Sequence, residues 1–566
     1  MRRAMSLLLL PIALSVFAAF GLAADSPPAF VYRTPQGAEV EITAAGLSKI
    51  ALGGRVLAQG GWAAFNAEPW FKNCGSGKVD LGKIVERSLE TVAPNHARVV
   101  HKTKDAAVAT DYLCDGEDVL VSARVENRHA DEPLNAVGFS GLEFSFDRLP
   151  QGLMMVQHIS YFQAHGATLC HPGHWAKIGG SYATDGTAGV GVSPWGTGWS
   201  RTLILWDYAD WNPTARENLP RRRLAYFVVA PTPAGGARTY AMKLRISPNR
   251  QWQHLLEPYR EHFQRTFGPV RYKADYRWIA TDYLNHSQQA VSKTNPYGYH
   301  GGPRRFDLAE GVKQFCDQTI PALRNAGGQG VILWGQGGDD PRGAMYRPDF
   351  DVLPPEVEAN WPVLVKRFRE AGLKLGVCTR PADMAVRLDW KSDQIIAINA
   401  DDPGHQAMLL RRFQNMVDRG CTLFYLDSFG SDLEHVKLMR ALREKLGPDV
   451  LTFAEHQCDA MLPYSGAYSE TTFAQKKAGQ EAGYHIWSGM ENWEIYQWLV
   501  PGAQLAARLY QIEGKIPDEF EPVDRFFYRN RITPLLPVSD FARLPAIGKI
   551  QSPFVAPEGR WQDERR

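Results

Sequence analysis

The sequence has little cysteine, no surplus of either charge, no glycine-rich nucleotide loop and, past residue 20, no apolar run long enough to span a bilayer. Each absence removes a class of protein. Seven cysteines in 566 residues, at positions 74, 114, 170, 316, 378, 421 and 458, make no CxxC pair and no closely spaced Cys/His set of the zinc type. That excludes a disulfide framework and the usual zinc sites. One local bridge stays open, between Cys74 and Cys114, which both lie in turn-like stretches; Cys378 and Cys421 sit inside apolar strands and read as small core residues. Lys plus Arg (63) and Asp plus Glu (61) nearly cancel to a formal charge of +2, so no nucleic-acid partner is implied. Internal repeats and low-complexity tracts are also missing.

What is present begins at the N-terminus. Arg2 and Arg3 precede an apolar stretch over 6–20 and then Gly21, Leu22, Ala23 and Ala24. This is the three-part pattern of a secretory signal, so 1–24 is expected to be removed and the protein exported, to the periplasm or outside the cell, with no membrane attachment after cleavage. A chain of this length exceeds one core and is expected to divide into domains. Over 25–270, short alternating segments such as 38–43, 119–126 and 223–230 are separated by Gly, Pro, Asn and Asp, which predicts antiparallel sheets packed as a sandwich. Near residue 250 the period turns helical.

Beyond that point strands alternate with helices. Strands are expected at 278–282, 330–334, 375–380, the run ending at Asp427, the run ending at Glu455, and then near 467–470, 498–505 and 532–538; helices at 307–324, 355–371, 403–419 and 431–446, most of them stopping at a glycine. Successive β-then-α units over 271–540 call for a parallel sheet with helical crossovers. The polar residue that ends each strand favours a closed (β/α)8 TIM-type barrel, and no glycine-rich first turn supports a nucleotide-binding sheet. Residues 541–566 form a C-terminal tail. The predicted fold class is thus multidomain β plus α/β, a β-supersandwich followed by a barrel.

In such barrels the residues at the C-terminal ends of the strands line the active site. Two of them here are carboxylic acids on successive strands, Asp427 and Glu455. Glycoside hydrolysis with retention needs one ionised carboxylate as nucleophile and one protonated carboxyl as acid, roughly 5 to 5.5 Å apart. Glu470, ending the sixth strand, is the rival acid. Arg380 is placed either to hold Asp427 or to pair with Asp383. Asp282 and Tyr283 end the first strand as a candidate sugar-gripping pair, and Asp282 alternatively serves as a cap. Trp334 offers a flat face to a pyranose, and Asp339 and Asp340 in the following loop offer acceptors for hydroxyls. Those two carboxylates are also hard ligands, so Ca2+ is the one cofactor left open, although their spacing matches no standard calcium loop. His456 follows Glu455 directly. In the N-terminal domain His165, His171 and His174 match no standard metal spacing, so no metal site is assigned, and His174 with Trp175 is read as a loop touching substrate.

The strand end Tyr425-Leu426-Asp427-Ser428, the strand end Ala454-Glu455 and the segment from Val125 to Asn135 together resemble the retaining α-glycosidases of the α-galactosidase and α-amylase-like barrel superfamily, including the endo-α-N-acetylgalactosaminidase group. What the resemblance implies is an N-terminal supersandwich, a catalytic barrel and a nucleophilic aspartate on strand four, here Asp427. Amylase-like members carry the acid/base glutamate on strand five, which transfers to Glu455. α-Galactosidase-like members carry the acid on strand six, which transfers to Glu470. Tyr425 stands where many α-galactosidases have lysine, and too few residues follow the barrel for the C-terminal β-sandwich common in these families. The expected activity is hydrolysis of an α-linked oligosaccharide or polysaccharide; the other reading is a carbohydrate-binding protein that keeps the cleft without the chemistry.

Overall fold

The computed structural model describes residues 29–67, 78–144, 179–184, 187–196, 201–206, 222–249, 251–283, 308–334, 355–387, 393–430, 433–455, 458–474, 483–487, 493–511 and 531–538. These residues form two compact units, the first running to His262 and the second beginning at Phe263.

The first unit is built from two seven-stranded antiparallel sheets. Alternation in the sequence makes the strands one-sided. In Ala38–Thr43 the buried positions are Ala38, Val40 and Ile42, and in Asp118–Asn127 they include Val119, Val121, Ala123 and Val125. Residues of both sheets share one core, in which Phe139 and Tyr226 of one meet Val121 and Met242 of the other. A helix, Trp252–Phe267, then carries the chain onward. Its first turns lie so close to the strand Gly189–Pro194 that a Cβ on Gly191 would come within 2.0 Å of the Leu255 carbonyl oxygen, so only glycine fits there. Cys114 is buried, and Cys74, the partner considered for it, lies outside the described residues. Burial pushes the Cys114 thiol up to about 12. Cys378 and Cys421 are buried core residues, as expected.

The second unit is a closed parallel barrel. Its eight strands, in order, are Ile279–Tyr283, Gly330–Trp334, Lys374–Thr379, Cys421–Leu426, Leu451–Ala454, Gly466–Ala474, Leu505–Gln511 and Ile532–Pro537. Each pairs in parallel with the next, and closure comes from Ile279 opposite Leu535. Helices Leu308–Asn325, Pro355–Glu370, Pro403–Asp418 and Leu433–Leu446 fall within a few residues of their expected bounds. They stop at or just before Gly327, Gly372, Gly420 and Gly447, all in the left-handed region that ends a helix without a Cβ clash. Asp402 caps the third of these helices, accepting from the amides of Gly404 (2.7 Å) and His405 (3.2 Å).

Three expectations need correction. The segment 498–505 is not a strand: Trp493–Leu499 is a helix and the seventh strand starts at Leu505. Ile495, Tyr496, Leu499 and Val500 are its buried positions, a helical spacing that an apolar run conceals, and Pro501 with Gly502 makes the turn. Eight complete βα units are not seen either. The crossover between the fifth and sixth strands holds only a 3-10 turn, Asp459–Met461, because so few residues separate those strands; the seventh crossover lies outside the described residues. Third, an antiparallel hairpin, Asp383–Arg387 with Asp393–Ala397, follows the third strand where only a loop was expected. No helix among the described residues is long and apolar enough to cross a membrane.

A polar network closes the N-terminal end of the barrel. Asp275 accepts from Arg277 (2.6 and 2.9 Å) and from Lys374 Nζ (2.8 Å), while its own amide donates to Gln504 Oε1 at 2.9 Å. Gln329 donates to the Asp275 and Arg277 carbonyls, both at 2.6 Å. The segment before the first strand is thus tied to residues that begin or precede the second, third and seventh. Burial opposes the charge on Asp275, but the hydrogen bonds from Arg277 and Lys374 outweigh it and hold the carboxyl down at about 2. A folded value below the unfolded one stabilises the protein above about pH 4, and that contribution is lost as pH falls toward 2. Asp275→Asn should therefore cost on the order of 2 kcal/mol at pH 7 by urea unfolding, with the deficit shrinking between about pH 4 and 2. A deficit independent of pH would show that the ion pairs contribute nothing.

Candidate active site

The register of the barrel decides which side chains face its lumen. Ile332 and Trp334, Cys378, Leu423 and Tyr425, Leu451 and Phe453, and Tyr468 all belong to the apolar cluster that fills it. Strand side chains alternate, so the next lumen positions toward the C-terminal end are Arg380 on the third strand, Asp427 on the fourth, Glu455 on the fifth and Glu470 on the sixth. Backbone pairing holds two of them in the ladder. The Asp427 amide donates to the Thr379 carbonyl (2.9 Å) and the Glu455 amide to the Leu426 carbonyl (3.1 Å).

There the structure brings Arg380, Asp427 and Glu455 together. Arg380 Nε donates to Asp427 Oδ2, one of the two partners considered for it; the side chain of the other, Asp383, lies outside the described set. The Glu455 carboxylate acts on Asp427 electrostatically, and only 10 % of the Asp427 side chain is exposed. Glu455 Oε2 accepts the Ser428 amide at 2.7 Å. Ser428 adopts φ 51°, the left-handed region that costs a non-glycine residue roughly 1 to 2 kcal/mol. Beneath the acids lies an aromatic floor. The Tyr425 ring meets Trp334 at 5.4 Å between centroids and Tyr468 edge-on at 4.7 Å. Trp334 is accordingly nearly buried, at 7 % exposure. Cys378 completes this floor as a buried thiol, raised well above its ordinary value by burial and then by the charges of Asp427 and Glu455.

The remaining candidates are placed as follows. Asp282 lies on the opposite parity of the first strand from Ile279, so its position faces away from the lumen, whereas Tyr283 shares the lumen parity; of the Tyr283 side chain nothing is described. Glu470 shares the parity of Tyr468, and its side chain too lies outside the described set. His174, Trp175, Asp339, Asp340 and His456 lie outside the described residues. Among the described residues no three His, Cys, Asp or Glu side chains converge to hold a metal. Sequence reading missed Ser428, Tyr425 and Tyr468 as site residues; stepping back by two from Asp427 and from Glu470 would have found both tyrosines.

Burial, and next the neighbouring Glu455 charge, push the Asp427 carboxyl up to about 6 against the pull of Arg380. A folded value above the unfolded one favours the folded state below about pH 4, and that advantage is lost as pH rises through 6. The unfolding free energy of Asp427→Asn should consequently gain on wild type by on the order of 3 kcal/mol between pH 4 and 7. Chemical unfolding at the two pH values measures this, and an unchanged difference contradicts the buried pair.

No protein-family model matches the chain, and no curated protein matches it. Among solved structures the chain is similar to an α-N-acetylgalactosaminidase from Bifidobacterium bifidum, with a TM-score of 0.52 and 13 % identity over 77 % of this chain and 79 % of that one. Weaker likenesses join it to an α-galactosidase from Geobacillus stearothermophilus in complex with stachyose (TM-score 0.39, 10 % identity, 92 % of this chain and 76 % of that one) and to one from Thermus thermophilus, also with stachyose (TM-score 0.38, 11 % identity, 82 % and 99 %). Only the first is close enough to bear on the fold. The fold of this chain is like that of the α-N-acetylgalactosaminidase.

Proposed function

We propose that the chain is an exported glycoside hydrolase on a (β/α)8-type barrel, cleaving an α-linked glycan with retention of configuration through Asp427 as nucleophile and Glu455 as acid/base. One observation carries the reading: two carboxyls meet at the C-terminal ends of adjacent strands, half sealed from water and braced by a cation. In the first step an Asp427 oxygen forms a bond to the anomeric carbon as the glycosidic bond breaks, and the leaving oxygen takes its proton from Glu455. In the second, Glu455 takes a proton from water, whose oxygen bonds to the anomeric carbon and releases Asp427. Arg380 keeps Asp427 oriented and spreads its charge. The buried pair holds the sugar's reacting bond in a site where charge interactions are weakly screened.

The Ser428 amide on Glu455 favours a second assignment, because amide donation stabilises an ionised carboxylate whereas the acid must carry a proton. In the alternative, Glu455 stays beside Asp427 as a carboxylate and Glu470, on the sixth strand, protonates the leaving group. Glycan identity and any calcium at Asp339 and Asp340 belong to the same proposal, as does export through 1–24.

The test is a panel of aryl α-glycosides. Asp427→Asn should lower kcat/KM by about 10^3-fold or more and regain turnover with azide. Of Glu455→Gln and Glu470→Gln, the acid is the one whose loss spares substrates with good leaving groups and abolishes those with poor ones. The acidic limb of wild-type kcat/KM should fall near pH 6, where Asp427 gains a proton. Wild-type activity in Asp427→Asn would end the nucleophile assignment, and glycan binding without hydrolysis would make the protein a carbohydrate-binding module.

A further inference from the structure

The proposed function leaves Ser428 without a part. Its hydroxyl is on no atom that the reaction uses, yet its backbone sits in a conformation that serine avoids, one residue past Asp427. That conformation turns its amide onto Glu455 Oε2 at 2.7 Å. The amide of Glu455 is in turn bound to Leu426, two residues before Ser428, so the strand ends bracket the glutamate from both sides. Oε2 held by Ser428 fixes the glutamate at the end of the strand next to that of Asp427.

We propose that Ser428 is a positioning residue whose left-handed backbone aims its amide at Glu455 and thereby holds that carboxylate beside Asp427. The inference rests on that pair as the site of the proposed reaction, but the contact itself is measurable without substrate. Amide donation favours the ionised form of an acceptor carboxylate, so losing that donor should raise the pH at which the pair takes up its proton. Among the described residues the other titratable or charged groups around the pair are Arg380 and Cys378 from the third strand, Tyr425 from the fourth and Tyr468 from the sixth.

Tolerance of the left-handed region sets the order of effects. Glycine enters it freely, asparagine readily, alanine with strain and a β-branched residue with most. Ser428→Gly, Ser428→Asn, Ser428→Ala and Ser428→Val should be compared with wild type by 13C-carboxyl NMR titration of the pair, and by kcat and KM on whichever glycoside the enzyme cleaves. Gly and Asn variants are expected to keep the wild-type titration and kcat within about twofold. Val should hold the shared proton to a pH about one unit higher and lower kcat by at least about tenfold with KM little changed, and Ala should fall between. If Val does not fold, the Ala variant against Gly and Asn carries the comparison. A Gly variant as impaired as Val would assign the role to the hydroxyl and overturn the proposal, as would a Val or Ala titration identical to wild type. Should no glycoside be cleaved while the titrations still rank by left-handed tolerance, the positioning stands and the glycosidase reading fails.

Discussion

Two carboxyl groups at the ends of adjacent parallel strands, Asp427 buried and Glu455 half-buried, are the constraint on which the rest of this barrel turns. Both cannot carry full charge at close range without a strong penalty, so the pair needs a proton, a cation or both. The structure supplies the cation as Arg380, from the next strand over, and raises the proton affinity of Asp427. Neither device works without the backbone. Asp427 and Glu455 are each held in the ladder just past the strand by an amide to the neighbouring chain, so their side chains emerge at matched depth.

The two ends of the barrel treat charge in opposite ways. At the N-terminal end Asp275 is surrounded by donors, and ionisation there stabilises the fold. At the C-terminal end Asp427 is ionised at the expense of stability, which is the pattern of a site kept for chemistry rather than for folding. The aromatic floor of Trp334, Tyr425 and Tyr468 separates the acid pair from the apolar lumen below. A strained Ser428 at the same end fits this division, because backbone strain persists only where the surrounding structure holds it.

Much of the barrel was legible in the sequence because its signals are local. A buried parallel strand is a short apolar run ended by a polar residue, and Cys421–Leu426 followed by Asp427 has that form; helix stops at Gly420 and Gly447 are equally local. The helix Trp493–Leu499 was lost because a short apolar stretch with aromatics has no period that separates helix from strand. Pairing was the less legible part. Whether Arg380 meets Asp427 or Asp383 depends on register between strands, and the left-handed turn at Ser428 has no glycine or asparagine to announce it. Parity was available and unused: it separates Asp282 from Tyr283 and joins Tyr425 to Asp427.

The central claim is that an Asp427 oxygen forms a covalent bond to the sugar. An α-configured, mechanism-based glycosyl probe that traps the intermediate, followed by intact-protein mass measurement and peptide mapping, reads that bond directly. One probe per chain, on the peptide at Asp427, is the result the account predicts. Attachment at Glu455 or Glu470, or turnover of substrate with no trapped adduct, would contradict it.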